Sequence, residues 1–154
     1  MFDLSHERRI EKTRLPRSPV PEGNLGKAEE QRIYVVQEHH ASHLHWDLRL
    51  EMNDALRSWA VPKKPPETVG VRRLAVEVED HPIEYAFFEG EIPKGKYGAG
   101  LVTLWDRGTY DTLEMTENKI IFTIHGERLK GNYCLLRTRF RGVAKNWLFF
   151  KMKS

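Results

Sequence analysis

At 154 residues, with 40% hydrophobic and 31% charged side chains, the chain has the length and composition of one soluble domain with a true core. No apolar run approaches the roughly 20 residues of a membrane span and no apolar leader follows Met1, so a cytoplasmic protein with no membrane partner is expected. A net charge of +3 permits a polyanionic partner without demanding one, and the single cysteine, Cys134, excludes an internal disulfide and a thiolate metal cluster.

Residues 1–32 read as an irregular basic arm. Arg8, Arg9, Lys12, Arg14 and Arg17 come first. Pro16, Pro19, Pro21, Gly23 and Gly26 then forbid a long regular element. Two readings stay open: a tail draped on the surface, or an arm whose arginines approach a phosphate-bearing ligand. Lys27–Arg32 has the makings of a short helical turn.

Residues 33–154 read as one β domain. Ile33–Gln37 is a short strand. From His43 to Met52 the pattern alternates: His43, His45, Asp47, Arg49 and Glu51 share one parity, and Leu44, Trp46, Leu48, Leu50 and Met52 the other. That is a strand with an apolar face and a face of imidazoles, carboxylates and a guanidinium. Asn53-Asp54 is a turn, and Leu56–Val61 returns as the hairpin partner. Pro62-Lys63-Lys64-Pro65-Pro66 ends it.

Arg73–Glu79 alternates again, and Asp80-His81-Pro82 breaks it. Tyr85–Phe88 is a brief aromatic segment, followed by a Gly-rich loop through Gly100. Leu101–Trp105 is a strand, with a tight turn expected at Asp106-Arg107-Gly108. Ile120–Ile124, Tyr133–Leu136 and Trp147–Lys151 complete the series. About eight short strands without a long helix imply an all-β fold, a small antiparallel barrel or sandwich.

His45 and Asp47, at i and i+2, project the same way and are close enough to share one ion. Two imidazoles and a carboxylate suit a borderline divalent metal such as manganese, iron or zinc. The third ligand is open on spacing: His43 by parity, His39 or His40 by proximity. Arg49, further along the same face, is placed for a phosphoryl or carboxylate oxygen. Lys63 and Arg73 add charge on adjacent loops. His81, at a strand end before Pro82, suits a general acid or a phosphate ligand. Tyr85 is either a hydrogen-bond donor to the same oxygens or an ordinary packing residue. Lys94 and Lys96 lie in a glycine-rich segment that is not a P-loop, since no Gly-Lys-Ser/Thr follows. The set points to metal-assisted chemistry at phosphorus.

Several strings carry a family resemblance. They are His39-x-Ala41-Ser42-x-Leu44-His45-x-Asp47-x-Arg49-Leu50-Glu51, Ser58-Trp59-Ala60-Val61-Pro62-Lys63, Arg73-Leu74-Ala75-Val76 and Glu79-Asp80-His81-Pro82. Tyr85 with Phe88-Glu89-Gly90, then Ile92-Pro93-x-Gly95-x-Tyr97-Gly98-x-Gly100 and Trp105-Asp106-x-Gly108, complete them. The chain resembles the 3′-phosphoesterase domain of bacterial DNA ligase D end-joining enzymes, and more closely its stand-alone archaeal and bacterial relatives.

The resemblance implies a small β-barrel with a basic, phosphate-binding crater. It implies Mn2+ as the activating ion, with Co2+ or Zn2+ as alternatives. The implied activity is 3′-end healing: a phosphodiesterase step removes a 3′-terminal ribonucleoside, and a phosphomonoesterase step removes the remaining 3′-phosphate. By position it implies His39, His45 and Asp47 as metal ligands, and Arg49, His81 and Tyr85 as catalytic residues. Lys63 and Arg73, with Arg49 and His81, are implied as phosphate contacts. DNA or RNA/DNA 3′ ends are the implied substrates. A DNA ligase, polymerase or end-binding protein would act in trans, and a monomer is expected.

The chain departs from the family where His40 replaces a frequent Asp, where His43 replaces a frequent Arg, and where Arg14 is followed by Leu15 rather than an acid. The last departure favours the diesterase step over the monoesterase step. Two other functions compete: a non-catalytic nucleic-acid end-binding module, and a metal phosphodiesterase acting on small nucleotides.

Overall fold

The computed structural model describes residues 32–153. The arm expected over residues 1–32 lies outside them, except for Arg32, which opens the first strand opposite Tyr110. Among the described residues nine strands form one antiparallel sheet: β1 (Arg32–His40), β2 (Leu44–Met52), β3 (Ala55–Val61), β4 (Arg72–His81), β5 (Gly90–Ile92), β6 (Gly100–Met115), β7 (Lys119–Gly126), β8 (Lys130–Arg137) and β9 (Asn146–Lys151). The order is β1-β2-β3-β4-β9-β8-β7-β6-β5, and β6 also pairs with β1. That pairing closes eight strands into a barrel and removes the edges an open sheet would expose. The short β5 adds to the first residues of β6. Among the described residues, no helix is long and apolar enough to cross a membrane.

The turn at Asn53-Asp54 forms as its residue types require. Both residues take left-handed backbone, with φ of 51° and 65°, the pattern of a two-residue type I′ turn. It sets the register Met52↔Ala55 through Trp46↔Val61. The apolar parity of β2 then points inward. Leu48 and Leu50 are fully buried among Val36, Trp59, Tyr110, Phe122, Trp147 and Phe149. Trp59 and Trp147 meet edge to face at 5.7 Å. Truncating either ring would cost about 3–5 kcal/mol.

The barrel has a second, smaller core on its outer wall. Val35 and Leu56 point outward and are covered by Ile83, Tyr85 and Ala86 of a 3₁₀ turn, Ile83–Phe87. Pro82 sets this turn up with extended backbone (φ −65°, ψ 150°) at its entry. The polar face of β2 therefore lies under cover instead of in solvent: Asp47, Arg49 and Glu51 are all buried.

The turn expected at Asp106-Arg107-Gly108 does not form. β6 runs unbroken from Gly100 to Met115. Gly108 allows a close approach here, since a Cβ at that position would stand 2.0 Å from the carbonyl oxygen of His125 on β7. Asp106 is buried, and it organises a different turn. Its carboxylate accepts the backbone N–H groups of Glu127, Arg128 and Leu129 at 2.8, 2.8 and 2.9 Å and the Tyr34 hydroxyl at 2.8 Å. This pins the β7–β8 connection to the barrel wall. The expected strand Ile33–Gln37 is likewise longer, because pairing with both β2 and β6 carries β1 on to His40.

Candidate active site

The outward parity of four adjacent strands builds one groove. Its walls are His39 from β1, His45, Asp47 and Arg49 from β2, Ala60 from β3 and Val78 and His81 from β4, with Tyr85 and the loop residues Tyr97 and Gly98 at its border. The register His39↔His45 and Gln37↔Asp47 brings the end of β1 beside the start of β2. One ligand atom from each of His39, His45 and Asp47 lies within 4.8 Å of the others.

Each imidazole has its outer nitrogen committed. A backbone carbonyl only accepts, so His39 Nε2–H donates to the Gly98 carbonyl at 2.8 Å and His45 Nδ1–H donates to the His43 carbonyl at 3.1 Å. The inner nitrogens, His39 Nδ1 and His45 Nε2, then face the Asp47 carboxylate at 3.6 and 3.3 Å. Imidazoles that hold metals are oriented in this way, with one N–H given to a carbonyl and the lone pair turned inward. The donor set therefore fits a divalent ion.

Asp47 is ionised. Burial works against its charge, but the Arg49 guanidinium and the two imidazoles outweigh burial and hold the carboxyl far below the usual carboxylate range. Burial also disfavours the His45 cation, but the adjacent Asp47 carboxylate outweighs it and raises the pKa of the ring.

Arg49 is 3% exposed and fixed from several sides. Its Nε donates to Gln37 Oε1 at 2.6 Å, its Nη1 donates to Ser58 Oγ at 2.8 Å, and its Nη2 lies 3.4 Å from Asp47 Oδ2. Gln37 is locked in turn, since its Nε2 donates to the carbonyls of Tyr85 and Phe88 at 2.7 and 3.2 Å. The guanidinium also lies 4.9 Å over the Tyr85 ring. His81 Nδ1 stands 3.2 Å from Arg49 Nη1 and 3.1 Å from the Glu79 carbonyl. A bare Nδ1 accepts from Arg49, whereas a protonated one donates to Glu79. The position can serve either state of a proton-transferring group. Tyr85 is buried, with its ring 5.0 Å from His81 and stacked on Phe88 at 5.2 Å.

The structure thus brings together His39, His45, Asp47, Arg49, His81 and Tyr85. It leaves out His43, exposed before β2, and His40, which pairs with Glu38 at 2.6 Å on the other parity of β1. Lys63 is exposed, and Arg73 donates to the Lys64 carbonyl at 2.7 Å; neither lines the groove. Gln37, Ser58 and Gly98 were not expected as site residues. Parity on β1 pairs Gln37 with His39 and could have pointed to it, but no local signal marks the carbonyl of Gly98.

A closed antiparallel barrel carrying a His/His/Asp cluster beside a buried arginine defines the class: an all-β scaffold with a candidate metal site. Residues 37–137 match the DNA Ligase D 3′-phosphoesterase domain family, and the chain belongs to that family. It is 47% identical over 147 residues to the multifunctional non-homologous end joining protein LigD of Mycolicibacterium smegmatis, covering 88% of this chain and 19% of that protein. The protein of the same name from Pseudomonas aeruginosa is 44% identical over 144 residues, covering 89% and 17% respectively. The chain therefore spans less than a fifth of the length of these relatives. Family membership and the clustered site together point to metal-dependent phosphoesterase activity.

Proposed function

We propose that this protein heals the 3′ ends of DNA or RNA/DNA primers. As a phosphodiesterase it removes a 3′-terminal ribonucleoside and leaves a 3′-phosphate; as a phosphomonoesterase it then leaves a 3′-OH. His39 through Nδ1, His45 through Nε2 and Asp47 would hold the ion, Mn2+ in this reading, with Co2+ and Zn2+ also suited to the donors. Once bound, the ion supplies Lewis acidity at a phosphoryl oxygen and lowers the pKa of water.

The chain's own residues supply the rest. Arg49 presents N–H donors to the phosphoryl oxygens from a fixed position, so little reorganisation is needed as charge builds there. His81 binds the phosphate and delivers a proton to the departing oxygen. Tyr85 braces Arg49 and His81 through its ring. Lys63 and Arg73, outside the groove, would meet phosphates further along the strand. The monoesterase step would draw on the arm, which lies outside the described residues. A DNA ligase, polymerase or end-binding protein would use the healed 3′-OH.

The observation that supports this reading most is the orientation of the two imidazoles. Each gives one N–H to a backbone carbonyl and turns the other nitrogen toward Asp47, next to Arg49. The test is a 5′-labelled primer–template ending in a single 3′-ribonucleotide, incubated with each divalent metal. Manganese-stimulated shortening to a phosphatase-sensitive product is expected. Intact ends with every metal would refute the assignment. Cleavage restricted to small nucleotides would move it to a nucleotide phosphodiesterase.

A further inference from the structure

The charge of the chain is unevenly placed. From Arg128 to Ser154 there are eight lysines and arginines and no aspartate or glutamate. Three of those cations, Arg139, Arg141 and Lys145, lie in the β8–β9 connection, where residues 138–145 are all exposed. Phe140 stands between the two arginines, 56% exposed, with the Arg141 guanidinium 5.2 Å from its ring centroid. Among the described residues, none of the three cations is held in an ion pair.

The connection is held in one shape. Gly142 N–H donates to the Arg139 carbonyl at 2.6 Å, Val143 N–H to the Phe140 carbonyl at 3.1 Å, and Asn146 Nδ2 to that same carbonyl at 3.2 Å. Arg137 Nη1 donates to the Ala144 carbonyl at 2.6 Å. Arg139 and Arg141 both take left-handed backbone, with φ of 55° and 58°. Residues other than glycine rarely adopt it, and such conformations collect at functional sites.

The connection also adjoins the groove. Val78 lines the groove, and its neighbour Glu77 donates its backbone N–H to the Lys145 carbonyl at 2.8 Å. Glu77 does not neutralise the cations, because its carboxylate accepts from Arg57 at 2.8 Å and from Trp147 Nε1 at 3.1 Å.

We propose that the β8–β9 connection is a docking strip for the nucleic-acid strand whose 3′ end occupies the groove. Arg139, Arg141 and Lys145 meet backbone phosphates, and Phe140 offers its ring to a base. The proposal rests on the nucleic-acid reading of the groove given above. A strand is favoured over an acidic protein surface because cations and an aromatic ring alternate along the connection, as phosphates and bases alternate along a strand.

The test measures binding of a labelled primer–template by fluorescence anisotropy over a range of salt, with turnover at saturating primer alongside. Arg139→Ala, Arg141→Ala and Lys145→Ala combined should weaken binding at least tenfold near physiological salt. The slope of log K against log salt should flatten by about 2 to 3, roughly one per lost phosphate contact. Turnover at saturation should hold. Arg139→Lys with Arg141→Lys should restore the slope, and Phe140→Ala should weaken binding of a single-stranded primer where Phe140→Tyr does not. Unchanged affinity and slope in the triple variant would overturn the docking strip while leaving the end-healing reading intact. A wild-type protein that neither binds nor cleaves 3′ ends would overturn both.

Discussion

Arg49 and Asp47 stand two residues apart on one face of β2, with Arg49 Nη2 3.4 Å from Asp47 Oδ2. Both are buried, so the cation keeps the carboxylate charged and the carboxylate keeps the guanidinium from standing unpaired. Gln37 and Ser58 fix the plane of the guanidinium. Arg49→Lys retains a charge but not this geometry. It should lower turnover on a 3′-ribonucleotide primer by on the order of 100-fold. Manganese binding, followed by electron paramagnetic resonance, should change far less than turnover.

Metal affinity is expected to depend on a residue that would not touch the metal. The Gly98 carbonyl holds His39, and Gly98 has a φ of 75° that a side chain disfavours. A Cβ there would meet the His39 ring at an ordinary 3.7 Å, so the effect of Gly98→Ala is on the backbone. Loss of such an outer partner typically costs 10–100-fold in metal affinity. A manganese titration of Gly98→Ala should show that loss, together with a thermal midpoint lowered by the few degrees that the strained backbone costs. His43→Ala should bind manganese as the wild type does.

Stability is expected to hinge on Asp106 and Gly126. Asp106→Ala would leave two buried donors, the Leu129 N–H and the Tyr34 hydroxyl, without their acceptor, along with the half-buried N–H groups of Glu127 and Arg128. Orphaned buried donors cost about 1–3 kcal/mol each, so a loss of several kcal/mol should appear in urea unfolding. Gly126→Ala would place a Cβ 2.5 Å from Asp106 Oδ2 and 2.9 Å from the Leu129 carbonyl. It should cost about 1–3 kcal/mol by overpacking. If both variants unfold at the wild-type urea midpoint, the pinned turn contributes nothing.

Alkaline pH should weaken the fold through its buried phenols. Burial pushes Tyr110 up to about 12, and Tyr34 and Tyr133 are raised by burial as well. A phenol whose folded pKa lies above its unfolded value favours the folded state fully below pH about 10. For Tyr110 that contribution falls away as pH climbs from there toward 12. Melting temperature should therefore drop over that window. Absorbance at tyrosinate wavelengths should show these three rings ionising above the ordinary phenol range.

The candidate site was partly legible in local pattern. Strict alternation over Leu44–Met52 put His45, Asp47 and Arg49 on one face, because side-chain direction in a strand has period two. The same rule put His43 with them and was misleading there, since β2 starts at Leu44 and His43 lies outside it. The cluster takes in His39 instead, because β1 pairs with β2 in the register His39↔His45. The turn expected at Asp106-Arg107-Gly108 had ordinary turn residues. They serve close packing of β6 on β7 and a carboxylate staple, which depend on residues some twenty positions away.

By itself the sequence determined what local backbone geometry controls: the succession of short strands, the Asn53-Asp54 turn, and the polar and apolar parities of β2. Its motifs also carried the family resemblance. Only the tertiary structure decided that the polar face of β2 is roofed by Ile83–Phe87, and that Gln37, Ser58 and the Gly98 carbonyl orient Arg49 and His39. Closure of β6 onto β1 was likewise settled only in the fold. Parity follows from each residue's own dihedral angles, whereas register, closure and the covering turn follow from hydrogen bonds and apolar contacts between distant segments, which no short stretch of sequence encodes.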